Sequence, residues 1–520
     1  MLQTPTKRVL FLQVLPNLNP VGMIAISETE LEDPKDSFDS ANRHTTASSY
    51  QCMNELMDRS KLTPLHWRIW LLSSLGIFLD GFDFFVIGIA LTLIIADLNP
   101  SLFMVGALGG AAVFGSVFGA VIGGRLTDRW GRKAIYIVDL MFFIVFTTLS
   151  AVAWDIYSLI AFRFLLGIGL GADYPICASY VFEFMPRSIR GKMLIGAFSF
   201  QALGMLTAAL VGLMVLWLFP SMSNWRLILF AGAIPAAAIM ILRAKIPESA
   251  RWYMEHGMPH KAEEVVRMLV PNAGDVLARL DTTRTGNEGI AHEKMDNKET
   301  GFKVLLTPLY FNKTLLATVP WFLMDIATYG IGVFTPLILG YMIYKDAIAI
   351  DPVSQSFLEI KGAAFLDLFL IIGFALNLLL VEKMGRLRLQ KLGFLGIIVG
   401  LLMLASLSTG TESIMAIFGG FVIFNVFMNM GPNATTFIIP AEIFPTHLRG
   451  TAHGLAAAAA KFGAMIGLIT VPVLQSSIGL PALLIVIAIG CTIALAVTNA
   501  LGIETTGRSL EELSGDSCVA

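Results

Sequence analysis

Twelve apolar blocks of about 20 residues each, the length that crosses a bilayer as a helix, dominate this chain and leave few folds open to it. They lie near residues 70–95, 103–123, 134–153, 156–182, 193–217, 226–244, 313–342, 360–381, 392–409, 414–438, 452–474 and 481–501. A segment inside lipid must bond its own backbone N–H and C=O groups, and a helix does so internally. Of the 520 residues, 56% are hydrophobic and 14% charged; soluble domains carry about 25% charged residues. The expected fold class is an all-α membrane protein with twelve transmembrane helices, six on each side of a polar stretch at 245–310. The net charge of −2 implies no nucleic-acid partner. Cys52, Cys177, Cys491 and Cys518 are scattered and follow no ligand spacing, so neither a metal nor another cofactor is expected. No P-loop, nucleophile elbow or metal motif argues for an enzyme.

The short apolar run "VLFLQVLPNLNPVGMIAI" near the start is broken by Pro16, Asn17, Asn19 and Pro20, which makes it a poor span and a poor signal peptide. The acidic, Ser-rich segment after it reads as disordered. Residues 1–65 are therefore expected to be a tail. Bundles at 66–245 and 312–502, a central loop at 246–311 and a second tail at 503–520 complete the organisation. Basic residues gather in alternate short loops: Arg125, Arg129, Arg132 and Lys133; Arg187, Arg190 and Lys192; Lys383, Arg386, Arg388 and Lys391; His447 and Arg449. The intervening loops are nearly free of Lys and Arg, with Lys345 and Lys361 as exceptions. The positive-inside bias puts both termini and the central loop in the cytoplasm, and the surrounding partner is the lipid bilayer of a cell membrane.

The two halves repeat each other. "GGRLTDRWGRK" follows the second block and "LLVEKMGRLR" follows the eighth, aligning Asp128, Gly131 and Arg132 with Glu382, Gly385 and Arg386. A repeat at the same place in each half is what a molecule rocking about a central site would show. Gly124 belongs to the first copy. Glu183 and Glu442 close the fourth and tenth blocks beside "MPRSIRG" and "FPTHLRG", which supply Arg190 and Arg449. With Arg163 inside the fourth block, these residues are expected to form ion pairs that latch one open state. The plainer reading is a basic loop and nothing more.

A charge inside the membrane costs several kcal/mol and needs a reason. In "PWFLMDIATYG" the residues Trp321, Asp325 and Tyr329 are four apart and so share one helix face. That face offers an indole N–H, a carboxyl and a phenol. Lys461, in "AAAAAKFGAMIG", is the opposite charge that could neutralise Asp325 across a cavity. "GLGADYPICAS" sets Asp173 and Tyr174 beside a proline, "FSFQALGM" supplies Gln201, and "MNMGPNATTF" places Asn429 and Asn433 around a Gly-Pro break. Each could equally be glue between helices. "FLDGFDFFVIG" adds Asp80 and Asp83, three apart, and Asp139 is a further carboxyl within a block. Without a fixed cation a buried carboxylate tends to take a proton, so Asp80, Asp83, Asp173 and Asp325 are candidates for proton coupling. A carboxylate in the site can accept from a P–OH, a group that sulfate lacks at neutral pH.

At these residues the chain resembles the major facilitator superfamily from about residue 65 onward. "PESARW" (247–252) and "ETTGRSLEEL" (504–513) look like sugar-porter signatures. "GADYP", "WFLMDIATY" and "GPNATTFIIPAEIFPTHLRGTAHG" narrow the resemblance to the phosphate:proton symporters of fungi and plants. The resemblance implies two pseudo-symmetric six-helix bundles and a monomer carrying phosphate, or a small organic anion, with protons. It also implies phosphate held by Tyr174, Gln201, Trp321, Asp325, Tyr329 and Asn433 near Lys461, with Asp80, Asp83 and Asp173 on the proton path. The alternatives are a proton-coupled porter of an organic acid or sugar-like metabolite, and a nutrient receptor that does not transport.

Overall fold

The computed structural model describes residues 53–271, 301–336, 338, 351–407 and 414–506. Among them are twelve helices long and apolar enough to cross a membrane: α1 (Pro64–Leu98), α2 (Phe103–Thr127), α3 (Arg132–Ala151), α4 (Ile156–Phe184), α5 (Arg190–Leu218), α6 (Met222–Arg243), α7 (Phe311–Gly332), α8 (Pro352–Met384), α9 (Arg386–Leu407), α10 (Met415–Ile443), α11 (Leu448–Val471) and α12 (Leu480–Leu501). All twelve expected spans are present. The largest differences are at the ends: α1 and α8 begin earlier than their apolar blocks, and the expected end of the seventh block lies outside the described residues.

Local chemistry sets several boundaries. Thr63 precedes Pro64 and exchanges hydrogen bonds with His66, closing the first turn of α1. Proline suits that position because its missing N–H would be unbonded there anyway. Asp155 caps α4 by accepting from Ser158 N at 2.7 Å. In α10 the sequence Gly431-Pro432 splits the span into Ile414–Met430 and Pro432–Ile443. Proline removes a helix hydrogen bond, and at the same break Asn377 Nδ2 of α8 donates to the Met430 carbonyl at 2.5 Å.

The helices pair in a pattern that repeats after six. α2 packs on α4 as α8 does on α10, α1 on α5 as α7 on α11, and α3 on α4 as α9 on α10. Two long seams join the halves, α2 against α11 and α5 against α8, and these are equivalent under the same repeat. Gly124 lets α2 approach α11: a Cβ there would lie 2.8 Å from the Gly450 carbonyl. α1 is central, with 89% of its most apolar stretch buried, whereas the figure is 39% for α6 and α12. Exposed apolar side chains such as Phe142, Ile241, Val399 and Ile489 form the outward surface that lipid would cover.

The repeated glycine loops share one construction. Gly131 and Gly385 have φ of +93° and +89° with ψ near 156° and 159°, a region essentially reserved for glycine. Behind Gly131, Glu248 of the "PESARW" segment accepts from Lys133 N at 2.9 Å and Ser249 N at 2.8 Å. Behind Gly385, Glu504 of the "ETTGR" segment accepts from Arg386 N at 3.0 Å and Leu387 N at 3.2 Å. A carboxylate thus sits at the N-terminus of α3 and of α9, where the helix dipole favours negative charge. Burial pushes the Glu248 carboxyl above its ordinary range despite these bonds. Burial also acts to raise Glu504, but bonds from Thr506 and from the backbone outweigh it and hold that carboxyl below its ordinary range.

Residues 53–60, within the stretch expected as a tail, pack on the bundle. Residues 53–58 are helical, Met53 and Met57 are buried, and Asp58 accepts from Arg190 at 2.5 Å and Arg251 at 2.6 Å. Two apolar side chains and one doubly paired carboxylate hold this segment against the bundle. Replacing Gly131 with alanine is expected to cost about 1–3 kcal/mol, and its Cβ would lie 2.4 Å from Glu248 Oε2. The thermal unfolding midpoint of detergent-purified protein should fall; an unchanged midpoint would contradict this account of the loop.

Candidate functional site

Lys461 is the centre of the site. Its side chain is 2% exposed, and an ammonium so deeply buried needs compensation from its surroundings. Three helices supply it. Lys461 Nζ donates to Tyr329 Oη of α7 at 2.6 Å and to Tyr174 Oη of α4 at 3.3 Å. Asp325 Oδ2 of α7 lies 3.5 Å away as the opposite charge. The rings of Tyr174, Tyr329 and Phe84 of α1 lie 4.4, 4.5 and 5.1 Å from the ammonium, within cation–π range. Lys461 and Asp325 belong to the second half and Tyr174 and Phe84 to the first, so the site is built across the two.

The sequence positions these groups by helix periodicity. Trp321, Asp325 and Tyr329 are all buried on one face of α7. The alanines before Lys461 remove bulk, and Ala456, Ala457, Ala460 and Ala464 are fully buried. α11 can therefore lie close along α7 and α2. Gln201 of α5 joins by donating to Tyr174 Oη at 3.2 Å. Trp321 is close enough to Asp325 to be a hydrogen-bond partner of its carboxyl, and its ring meets Phe437 and His453 edge-on. Asn433 donates to Asn429 at 2.7 Å and Asn429 to the Asn425 carbonyl at 2.8 Å. This pair is thus bonded to its own helix at the Gly-Pro break rather than to Lys461.

The other carboxylates fall into two groups. Asp83 is committed to Arg163, which donates to its Oδ1 and to its backbone carbonyl, each at 2.8 Å. Asp80 is fully buried, and neither of its carboxyl oxygens has a hydrogen-bond partner among the described residues. It lies within electrostatic reach of Asp173, Lys461 and Arg243. Arg243 of α6, fully buried, pairs with Asp173 at 3.1 Å and with Asp139 at 3.9 Å and rests on the Tyr136 ring. A small cavity lined by Asp80, Asp139 and Asp173 opens between α1, α3 and α4. Sequence reading missed Arg243, which stands at the end of an apolar block where a long basic side chain ordinarily reaches for water. His453, buried beside Trp321, was missed as well; its spacing of eight residues before Lys461, about two turns, was the available signal.

The latch residues meet at the end of the bundle that carries the glycine loops. Arg132 donates to Glu183 at 2.8 Å. Arg386 donates to Glu442 at 3.1 Å and to Glu382 at 3.0 Å. Arg190 and Arg449 stack over Phe182 at 4.6 and 4.3 Å, and Arg190 also pairs with Asp58. Glu183 and Glu442 thus pair with the Gly-Arg arginines at the N-termini of α3 and α9, and Glu442 also accepts from the Thr505 hydroxyl. The side chain of Asp128 lies outside the described residues. A Cβ on Gly191, at the start of α5, would lie 2.4 Å from Arg386 of the other half, so the halves are in contact at this end.

A family model described as "Sugar (and other) transporter" matches residues 69–516. Low affinity inorganic phosphate transporter 8 of Medicago truncatula is 31% identical, over 90% of this chain and 94% of that protein. Putative inorganic phosphate transporter 1-13 of Oryza sativa subsp. japonica is 29% identical, over 88% and 93%. Among solved structures, the proton:xylose symporter XylE of the major facilitator superfamily shares the fold. Its TM-score is 0.71 at 20% identity, covering 86% of this chain and 98% of that one.

The environments of Asp80 and Asp83 predict opposite responses. Asp83→Asn leaves Arg163 buried without its carboxylate and should cost about 3–5 kcal/mol, with Asp83→Leu/Arg163→Met recovering most of it. Asp80→Asn removes an unpartnered carboxyl and should not destabilise. Thermal unfolding in detergent decides; equal losses from the two single asparagine variants would contradict the assignment.

Proposed function

The chain belongs to the sugar (and other) transporter family, and on that premise we propose that it is a phosphate:proton symporter of the major facilitator superfamily that carries inorganic phosphate with protons by alternating access. The observation that carries this reading is the buried Lys461 ammonium, held by two tyrosine hydroxyls from opposite halves and faced by Asp325. An entering oxyanion replaces the phenol oxygens around the ammonium, and Tyr174, Tyr329, Gln201 and Trp321 turn their donors to its other oxygens. Asp325 accepts from a P–OH. A dianion with no proton to offer meets a carboxylate it cannot bond, which is repulsive discrimination. Asn429 and Asn433 approach the same ligand once the Gly-Pro break of α10 shifts.

Protons move along the carboxyls. Asp80 lies between the Lys461 cluster and the Asp139–Asp173–Arg243 cluster, so it is the step between them. Asp83, bound to Arg163, stabilises α1 against α4 instead of exchanging protons. Arg132–Glu183 and Arg386–Glu442 each brace one half from within, while Arg449 of α11 over the Phe182 ring of α4 joins the halves at the glycine-loop end and parts when it opens. We assign that end to the cytoplasm of a cell membrane, with both termini on the same side. The working unit is a monomer of two bundles, 66–245 and 312–502.

Radiolabelled phosphate uptake into proteoliposomes tests the reading. An inward proton gradient should drive accumulation that unlabelled phosphate blocks and sulfate does not. Competition by an organic acid without phosphate uptake would assign a different anion to the site. Asp325→Asn should abolish uptake in protein that still reconstitutes; normal uptake by that variant removes Asp325 from the mechanism. Uptake should also rise as external pH falls and collapse with a protonophore, whereas sodium dependence without proton dependence would overturn the coupling.

A further inference from the structure

α8 carries a buried acid that the transport cycle above leaves unused. Glu359, two turns from the start of the helix, is 2% exposed. Its Oε2 accepts from Thr92 Oγ1 of α1 at 2.9 Å and its Oε1 from Gln355 Nε2 at 2.8 Å. Thr92 belongs to the first half and Glu359 to the second. Thr92 lies six residues before the end of α1 and Glu359 near the start of α8. The bond therefore ties the halves at the end of the bundle opposite Arg132 and Arg386.

Both partners are neutral, and no ion pair to Glu359 is present among the described residues. On α1, Asp97 is committed to Trp225 Nε1 at 2.8 Å. The last two turns of α5, the first half of α10 and the last turns of α9 hold no charged residue. On α8 itself Asp351 caps its own helix, Lys361 is exposed, and Asp367, half buried, lies two turns further on. A carboxylate enclosed with neutral donors alone is costly, and a proton removes that cost. Separation of α1 from α8 brings the same group to water, where it ionises readily. The closed end therefore binds the proton more tightly than the open end, and by linkage the proton favours closure.

We propose that Glu359 is a proton-operated clasp: this end of the transporter closes over its site only when Glu359 has taken a proton from the aqueous phase it faces. The proton stays on the carboxyl while the end is shut. Gln355 keeps donating to one oxygen, and the Thr92 hydroxyl, which can donate or accept, bonds the other. Glu359 is a positioning residue in this scheme and does not touch the anion. The inference rests on the alternating-access reading but not on phosphate as the substrate.

Spin labels at Ser101→Cys and Ser354→Cys, exposed positions at the starts of the α2 helix and α8, report the separation of the halves at this end. Cys52 and Cys518 are first replaced by serine, and distances are read by pulsed electron resonance in nanodiscs without substrate. In the otherwise unchanged protein, raising pH should shift the population to the longer distance by up to about tenfold per pH unit, as one linked proton allows. Glu359→Gln keeps the hydrogen-bonding shape without the titration and should hold the short distance at every pH. Thr92→Val should favour the long distance yet keep the pH response, which separates the proton from simple packing. A distance distribution in the unchanged protein that ignores pH overturns the proposal, as does a Glu359→Gln variant that responds like it.

Discussion

The burial of one ammonium governs the middle of this protein. Lys461 is enclosed where a free charge is costly, and it is tolerated because α1, α4 and α7 each turn a ring, a hydroxyl or a carboxylate toward it. These groups come from both halves, so a motion that parts the halves must strip some of them from Lys461. An anion arriving from water can take their place. Binding and conformational change are thereby tied to the same few contacts, and that coupling is what an alternating-access cycle requires.

The seams follow from the same constraint. α2 against α11 and α5 against α8 join the halves on either side of the Lys461 cluster. At one end Arg449 of α11 stacks over Phe182 of α4; at the other, Thr92 meets Glu359. The first contact sets a guanidinium, charged at any ordinary pH, on an aromatic face. The second uses an acid and neutral donors, and depends on protonation. Different chemistry at the two ends gives a proton gradient a handle on one of them.

Much of this was legible in the sequence because membrane helices carry strong signals. Block length gave all twelve spans, and the i, i+4, i+8 spacing put Trp321, Asp325 and Tyr329 on one buried face. The repeated acid–Gly–Arg pattern pointed to Arg132 and Arg386. What was not legible depended on partners distant in sequence. Asp80 and Asp83 look alike three residues apart, yet only Asp83 meets Arg163 across eighty positions. Arg243, at the end of its apolar block, carried no sequence signal and is fully buried. Glu359 fell outside the eighth block as first bounded, because α8 begins at Pro352, before the apolar run. Asn433 shared a motif with the site but bonds Asn429, a local choice made by the Gly-Pro break.

The central claim is that the Lys461–Asp325 site takes a protonated oxyanion. Equilibrium binding of radiolabelled phosphate to the purified protein at neutral pH, with sulfate as competitor, tests it most directly, because both ionic forms of phosphate then carry a P–OH and sulfate carries none. Phosphate that sulfate does not displace from the unchanged protein, but does displace once Asp325→Asn is made, is the predicted result. Sulfate that displaces phosphate equally well from both proteins would contradict the role given to Asp325 and, with it, the account of how this site selects its ligand.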